Sequence, residues 1–326
     1  MEKKTIAVPA AGILSLAGGL VAGRRLVDQW RKNPGPLGGH PVRFPESATE
    51  VVVLADGAEI ATYRIGSGPT VVVVHGLTAS HHDWGPIAAH LVEAGFEVLA
   101  IDQRGHGNST SGRAGFGSRQ LGNDLSQVFE TLDIQAVCLA GHSMGAMAAM
   151  GFAAVETRRF NERVQSFVSV ASTGATDTAL QAAALRLGGI KIPKRLSQIA
   201  ANRLRVIAGL SVFGKSPSLN MIDEAIASFR KCPEPVRGAA TKALADHDVL
   251  KELATLEAPS LVIGAGRDRL IDIDQVQELF QTLPNSRLTV YPDAGHMVIW
   301  ERHVEVAAEI VEFVHSMVES PIPTTS

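Results

Sequence analysis

One serine in this 326-residue chain lies in a pattern that could turn its hydroxyl into a nucleophile. Ser143 stands between Gly141 and Gly145 in the sequence Gly-His-Ser-Met-Gly, after the apolar run 136–140 and before a helical run. In a turn from strand to helix this pattern describes a nucleophile elbow, where small residues permit a tight, strained backbone. The amino end of the helix then favours negative charge that develops beside the serine. The alternative interpretation is a glycine-rich turn with a buried serine.

A serine hydroxyl is a weak nucleophile at its own pKa, so a histidine base and an orienting acid are expected elsewhere in the chain. Of the eleven histidines, His296 follows the last predicted strand in a small-residue turn, Ala-Gly-His. It is therefore the candidate base. His75 and His106 are expected in turns that bond to the backbone, and His142 is the variable residue of the elbow. Exposed positions are predicted for five others: His81, His82, His90, His247 and His303.

Asp268 is the candidate for the orienting acid. It ends the segment Gly-Ala-Gly-Arg-Asp, which directly follows a predicted strand. Asp272 and Asp274 lie one short turn later and are the alternatives. Asp274 also suits the N-cap of the helix that follows.

The candidates follow strands that are predicted from short apolar runs. Repeated alternation of strands and helices predicts a mostly parallel sheet covered by helices on both faces. The dipeptide Asp56-Gly57 predicts a hairpin, so the sheet should begin with an antiparallel pair. The predicted strands are 51–54, 58–65, 70–74, 96–101, 136–140, 166–171, 260–264 and 287–291, and the predicted helices are 87–94, 120–132, 144–156, 275–282 and 304–318.

The stretch 174–255 interrupts this alternation. It has the composition of helices, with Ala and Leu spaced three and four apart, and it contains no clear strand. We interpret it as an inserted helical subdomain. Its 12 Lys and Arg against 7 Asp and Glu within 175–255 give it a charge of +5. This charge fits either a solvated helix surface or a basic face toward an anionic surface or substrate.

Taken together, these segments resemble the α/β-hydrolase superfamily over most of residues 48–320. Beside the elbow and the two late segments, the resemblance rests on His75-Gly76-Leu77 after the third strand and on the loop 102–109, Asp-Gln-Arg-Gly-His-Gly-Asn-Ser, after the fourth. It implies an α/β-hydrolase fold, with a mostly parallel eight-stranded sheet, helices on both faces and an inserted helical cap. The expected division is a core of 48–173 and 256–326 with a cap of 174–255.

The resemblance also implies roles for the candidates, in the chain order nucleophile, acid, base. Ser143, Asp268 and His296 satisfy that order. The elbow would supply the backbone N–H of Met144 to a tetrahedral oxyanion, and the second donor would be the backbone N–H of Leu77. The loop 102–109 is expected to be structural.

The function expected from this set is hydrolysis of a carboxylic ester through an acyl-enzyme, with no metal and no organic cofactor. The substrate would be a small-molecule ester with an apolar acyl chain under the cap. A serine at the elbow counts against epoxide hydrolases and haloalkane dehalogenases, which carry a carboxylate there. Lactonase, thioesterase, carbon–carbon bond hydrolase and cofactor-free haloperoxidase chemistry remain alternatives, as does a non-catalytic ligand-binding relative.

Composition excludes one class of partner and indicates the redox state of the compartment. The net charge of −3, from 30 Lys and Arg and 33 Asp and Glu, argues against a nucleic-acid binder, because such proteins are usually basic. The two cysteines, Cys138 and Cys232, have no metal-binding or disulfide spacing, so a reducing compartment is expected.

The amino-terminal region contains an uncharged segment that could associate with a membrane. Residues 5–23 carry no charge and would span roughly 28 Å as a helix, about the thickness of the bilayer core. Only seven of these nineteen residues are Ile, Leu or Val, so an anchor, a signal peptide and a packed helix all remain open. An anchor would leave the catalytic domain on the cytoplasmic side, because the flank that follows the segment is more basic than the one that precedes it. A cytoplasmic or membrane-associated protein is therefore expected, with 1–47 as apolar segment and Pro/Gly linker.

Overall fold

The computed structural model of the protein describes residues 22–38, 42–176 and 197–318. Residues 5–21 of the apolar segment, three residues of the linker and residues 177–196 of the predicted cap lie outside the described residues.

An eight-stranded sheet forms the centre of the molecule, in the order β1-β2-β4-β3-β5-β6-β7-β8. Strand β2 is antiparallel to both of its neighbours, and all other neighbouring pairs are parallel. The mostly parallel α/β sheet that opens with a hairpin is therefore confirmed. The strands are β1 Ala48–Val53, β2 Glu59–Gly66, β3 Thr70–Val74, β4 Glu97–Ile101, β5 Val137–His142, β6 Val164–Val170, β7 Ser260–Ala265 and β8 Ser286–Tyr291.

Helices cover both faces of this sheet because the strands bury side chains on both sides. In β3, Val71 and Val73 belong to one apolar cluster, and Val72 and Val74 belong to the other. Helices α2 and α12 pack in the first cluster, and α3, α4 and α10 pack in the second. The described helices are α1 at 22–32, α2 Gly85–Glu93, α3 Ser118–Thr131, α4 Met144–Val155, α5 Thr157–Arg163, α6 Gln198–Val212, α7 Leu219–Lys231, α8 Glu234–Leu244, α9 Leu250–Leu253, α10 Ile273–Thr282, α11 Val298–Glu301 and α12 His303–Val318.

Between β6 and β7 the chain forms the helices α6 to α9 and, within its described part, no strand. They lie in the range predicted as a helical cap. Side chains from α6, α7 and α8 line the cavity that also contains Ser143.

The amino-terminal residues pack against the core instead of preceding it as a free linker. Val27 and Trp30 on α1 are buried in the first cluster, as are Val42 and Phe44 from the Pro/Gly stretch. The globular unit therefore begins earlier than residue 48, the predicted start of the core. Within the described ranges, no helix is both long enough and apolar enough to cross a bilayer.

Candidate functional site

Ser143 occupies a strained turn between β5 and α4. Its backbone has φ 52° and ψ −120°, a conformation that residues other than glycine rarely adopt. The turn is fixed on both sides, because the Ser143 N–H donates to Val170 O at 2.9 Å and the Ser172 hydroxyl donates to Ser143 O at 2.9 Å. Such strain persists where surrounding structure enforces it, and it is concentrated at functional sites.

The two glycines of the elbow are required by close backbone contacts. A Cβ on Gly145 would lie 2.2 Å from Val74 O, and one on Gly141 would lie 2.3 Å from Ala146 N. Both distances are far shorter than any contact that a side chain can accept. The Gly-x-Ser-x-Gly spacing therefore allows α4 to leave β5 directly beside the end of β3.

The candidate base and acid form a buried pair. His296 Nδ1 lies 2.8 Å from Asp268 Oδ2, and the two side chains are 8% and 2% exposed. The other carboxylate oxygen of Asp268 accepts backbone N–H bonds from Leu270 at 2.8 Å and Ile271 at 3.0 Å. With Oδ1 held by two donors, Oδ2 faces the histidine, and the imidazole carries its proton on Nδ1. Its Nε2 is then left as the acceptor that a general base requires.

Ser143 and His296 line the same cavity, which has a volume of about 250 Å³. In the described part of the chain, the serine hydroxyl makes no direct hydrogen bond to the imidazole. Catalytic hydrogen bonds are often long in unliganded enzymes and shorten when substrate binds.

The predicted oxyanion donors line this cavity as well. Leu77 and Met144 both border it. The turn that carries Leu77 runs against the elbow, since a Cβ on Gly76 would lie 3.4 Å from Ser143 Cβ. Four of the five predicted site residues thus line one cavity, and the fifth, Asp268, lies behind it in contact with His296; their roles there remain predictions.

The cavity is otherwise lined mainly by apolar side chains from both the sheet region and α6 to α8. These include Met147, Leu204, Ile207, Ile226, Phe229 and Leu244. An apolar chain is the ligand chemistry that such walls favour.

His142, the residue directly before Ser143, makes a hydrogen bond to the backbone of the candidate base. Its Nε2 donates to the backbone oxygen of His296 at 2.9 Å, and the ring is buried. Burial and the neighbouring His296 lower the pKa of His142 to about 3, so the ring is neutral. The elbow motif leaves this position variable, and nothing local in the sequence signals a contact across 154 residues.

Glu301 also stabilises the loop that carries His296, and no pattern in the sequence indicates this contact. Its carboxylate accepts the N–H of Gly295 at 2.8 Å and the N–H of Gly214 at 2.9 Å. Gly295 precedes the candidate base, and Gly214 follows α6. Burial raises the pKa of Glu301, although the two N–H donors oppose that shift. One carboxylate therefore ties the loop of His296 to the helical insertion.

The loop 102–109 makes structural contacts, in line with its prediction. Asp102 is fully buried and accepts the His81 N–H at 2.7 Å and the Asn108 N–H at 2.9 Å. Burial would raise the pKa of Asp102, but the hydrogen bond from His81 and the nearby His75 lower it to about 2. Arg104 makes a buried ion pair with Asp124.

Three histidines predicted at the surface are buried instead, namely His81, His247 and His303. Each has polar partners that make burial tolerable. His247, for example, contacts Ser118 Oγ at 2.7 Å and Thr173 O at 3.0 Å. His75 and His106 bond to backbone oxygens of turns, as predicted.

The two alternative acids have other surroundings. Asp272, not Asp274, caps α10, and it does so in a capping box with Gln275. The prediction of Asp274 as the cap is therefore wrong by two residues. Across the described ranges, no group of three or more His, Cys, Asp or Glu side chains is placed to hold a metal ion.

Comparison with known proteins adds a family-level match. The sequence profile of the Alpha/beta hydrolase family matches residues 71–309. A non-heme haloperoxidase from Rhodococcus erythropolis is 25% identical over 279 residues, covering 81% of this chain and 99% of its own. An esterase from Exiguobacterium antarcticum superposes with a TM-score of 0.72 at 19% identity, over 82% of this chain and 100% of that one. A membrane phospholipase A superposes with a TM-score of 0.70 at 20% identity, over 95% and 97%.

Proposed function

The chain belongs to the alpha/beta hydrolase family, and from that membership we propose that it is a serine hydrolase that cleaves carboxylic esters through an acyl-enzyme. The observation that carries the proposal is the convergence of three features on one apolar cavity. These are the strained Ser143 at the elbow, the buried pair of His296 and Asp268, and walls suited to an acyl chain.

In the proposed reaction, Ser143 Oγ attacks the ester carbonyl carbon while His296 Nε2 takes the hydroxyl proton. The backbone N–H groups of Leu77 and Met144 stabilise the oxyanion, and Asp268 stabilises the imidazolium. Collapse of the tetrahedral intermediate breaks the bond to the alcohol, which leaves with the proton from His296. Water then attacks the acyl-enzyme by the same steps and releases the carboxylic acid.

The length of the acyl chain is expected to control the rate. With p-nitrophenyl esters of increasing length, kcat/KM should rise about fourfold per methylene while the chain fills the apolar cavity, because each buried methylene contributes about 0.8 kcal/mol. It should fall once the chain exceeds the cavity. Initial rates across a series from acetate to dodecanoate measure this dependence, and a flat series would contradict an acyl site in this cavity.

Further substrates, assayed beside this series, separate the ester proposal from its alternatives. A thioester and a lactone of matched acyl size would be cleaved faster than the ester by a thioesterase or a lactonase. Halogenation of a reporter with peroxide and a carboxylic acid would favour the chemistry named for the Rhodococcus relative.

We also propose that the enzyme works against an anionic membrane surface. Ile199, Ile207 and Leu210 on α6 expose 57%, 60% and 41% of their surface, and Ile207 also borders the cavity. Exposed Arg24 and Arg25 lie on α1, which packs against α6 where Trp30 meets Gly209. An apolar ridge beside cationic side chains is a combination that favours anionic lipid.

This proposal predicts a dependence on lipid charge. The full chain should sediment more strongly with vesicles that contain anionic lipid than with neutral ones, and 0.5 M salt should reduce the difference because it screens exposed charges. Replacing Arg24 and Arg25 by Gln should weaken binding to the anionic vesicles, while Glu257→Gln serves as a surface control. Equal binding to both kinds of vesicle would contradict the proposal.

A further inference from the structure

A second cavity of about 280 Å³ adjoins the catalytic one. The two share Thr78, Ala79, Asp83 and Ser228 as wall residues, so they meet at one junction. Thr78 directly follows Leu77, whose backbone N–H is the proposed oxyanion donor. The second cavity therefore begins next to the position at which the carbonyl oxygen of an ester would lie.

The walls of this second cavity differ from those of the first. They carry hydroxyl and amide groups from Thr78, Ser80, Asn108, Ser109 and Ser228. Helix α7 divides the two cavities, since Ala225 and Phe229 face the apolar one while Glu224 and Lys231 face the polar one. A substrate that bridged the junction would have one apolar part and one polar part.

Ionisable groups of both signs line the polar cavity. Arg43 and Lys231 contribute two cationic groups, and Asp83 and Glu224 contribute two carboxyl groups. His82 is neutral, because burial and the neighbouring His81 lower its pKa to about 4. A hydroxyl-rich wall with ionisable groups of both signs is suited to a neutral polar ligand more than to an ion.

Asp83 at the junction is the feature that points to a ligand. The residue is only 4% exposed, yet it borders both cavities. Its carboxyl group accepts the backbone N–H of Ser80, and in the described part of the chain it makes no ion pair and accepts no hydrogen bond from a side chain. The turn that carries it is fixed, because Asp83 O accepts the Trp300 indole N–H at 3.0 Å. The two oxygens of a carboxylate offer about four acceptor positions, so acceptor capacity remains for a bound hydroxyl.

We propose that the polar cavity binds the alcohol part of an ester of a small polyol, such as a glycerol monoester, and that Asp83 accepts a hydrogen bond from one of its hydroxyl groups. The inference rests on the proposed ester hydrolysis and names its substrate class. Burial raises the pKa of Asp83 to about 7, with the nearby Asp102 and Glu224 adding to the shift and the Ser80 N–H and Lys231 opposing it. Near neutrality the carboxyl group can thus both donate and accept.

The test compares two esters with the same acyl group, 1-butyrylglycerol and propyl butyrate. Their alcohols have the same carbon number and differ only in hydroxyl groups, so the ratio of their kcat/KM values isolates the polyol contribution. The wild-type protein should favour the glycerol ester about tenfold, the range expected for one buried hydrogen bond to a carboxyl group.

Two variants of similar size separate hydrogen bonding from packing. Asp83→Leu should reduce the ratio to about one, mainly through a higher KM for the glycerol ester. Asp83→Asn, whose amide oxygen still accepts, should keep most of the preference. If Asp83→Leu does not fold, as judged by thermal melting, Ser228→Ala at the same junction should lower the ratio in the same direction. Glycerol should also inhibit propyl butyrate hydrolysis more strongly than 1-propanol does.

A wild-type ratio near one, or an unchanged ratio in Asp83→Leu, would overturn the polyol site while leaving ester hydrolysis intact. Failure of the proposed function has a different signature. In that case neither ester would be cleaved in a manner that depends on Ser143.

Discussion

Replacing Ser143 by Ala is expected to lower kcat for ester hydrolysis by about 10⁴-fold or more, because no other group in the elbow can form the acyl-enzyme. The variant should still fold, since alanine tolerates the site as well as serine does and the contacts that fix the turn come from the backbone of residue 143. A phosphonofluoridate probe should add its mass to the wild-type protein and not to this variant.

Another serine in the same cavity provides the matched control. Ser211 borders the cavity but lies within helix α6 and follows no strand end. Ser211→Ala should therefore keep the covalent label. A label that survives Ser143→Ala, or folded wild-type protein that never reacts, would count against the proposed mechanism.

The strands and the positions of the candidate residues could be predicted because their signals are local. The run Thr70–Val74 is β-branched throughout and has four consecutive valines, as expected of a strand buried on both faces, and its predicted bounds match the structure. The elbow is equally local, since its glycines, serine and following helix are continuous in sequence. The residues that immediately surround Ser143, Asp268 and His296 make each a candidate, and the resemblance implies their order; their roles stay predictions.

Supports that join distant segments could not be predicted in this way. The carboxylate of Glu301 bridges Gly295 and Gly214, which is 87 residues away from it. The buried His247 depends on Ser118, at a separation of 129 residues. Whether an imidazole or carboxyl group is buried is decided by such partners, and no periodicity along the chain reports them. Trp30 is a similar case, because a short helix before a Pro/Gly stretch resembles a linker until its packing surface is known.

Replacing Asp268 by Asn is expected to lower kcat by about 10⁴-fold while preserving the fold, and the reason lies in which oxygen is fixed. Asp268 Oδ1 accepts the N–H groups of Leu270 and Ile271, so an asparagine must place its oxygen there. Its NH₂ group would then face His296 Nδ1, which could no longer carry a proton. The imidazole would hold its proton on Nε2, and it could not accept one from Ser143.

Nitrogen NMR of the labelled imidazole would report this change of tautomer directly, alongside kcat on p-nitrophenyl butyrate. Asp272→Asn is the matched control, since the same substitution four residues later affects only the cap of α10, and asparagine is an equally good cap. That control should keep both activity and tautomer. If instead Asp272→Asn lost activity and Asp268→Asn kept it, the acid would be the later aspartate, and the short contact between Asp268 and His296 would have no catalytic consequence.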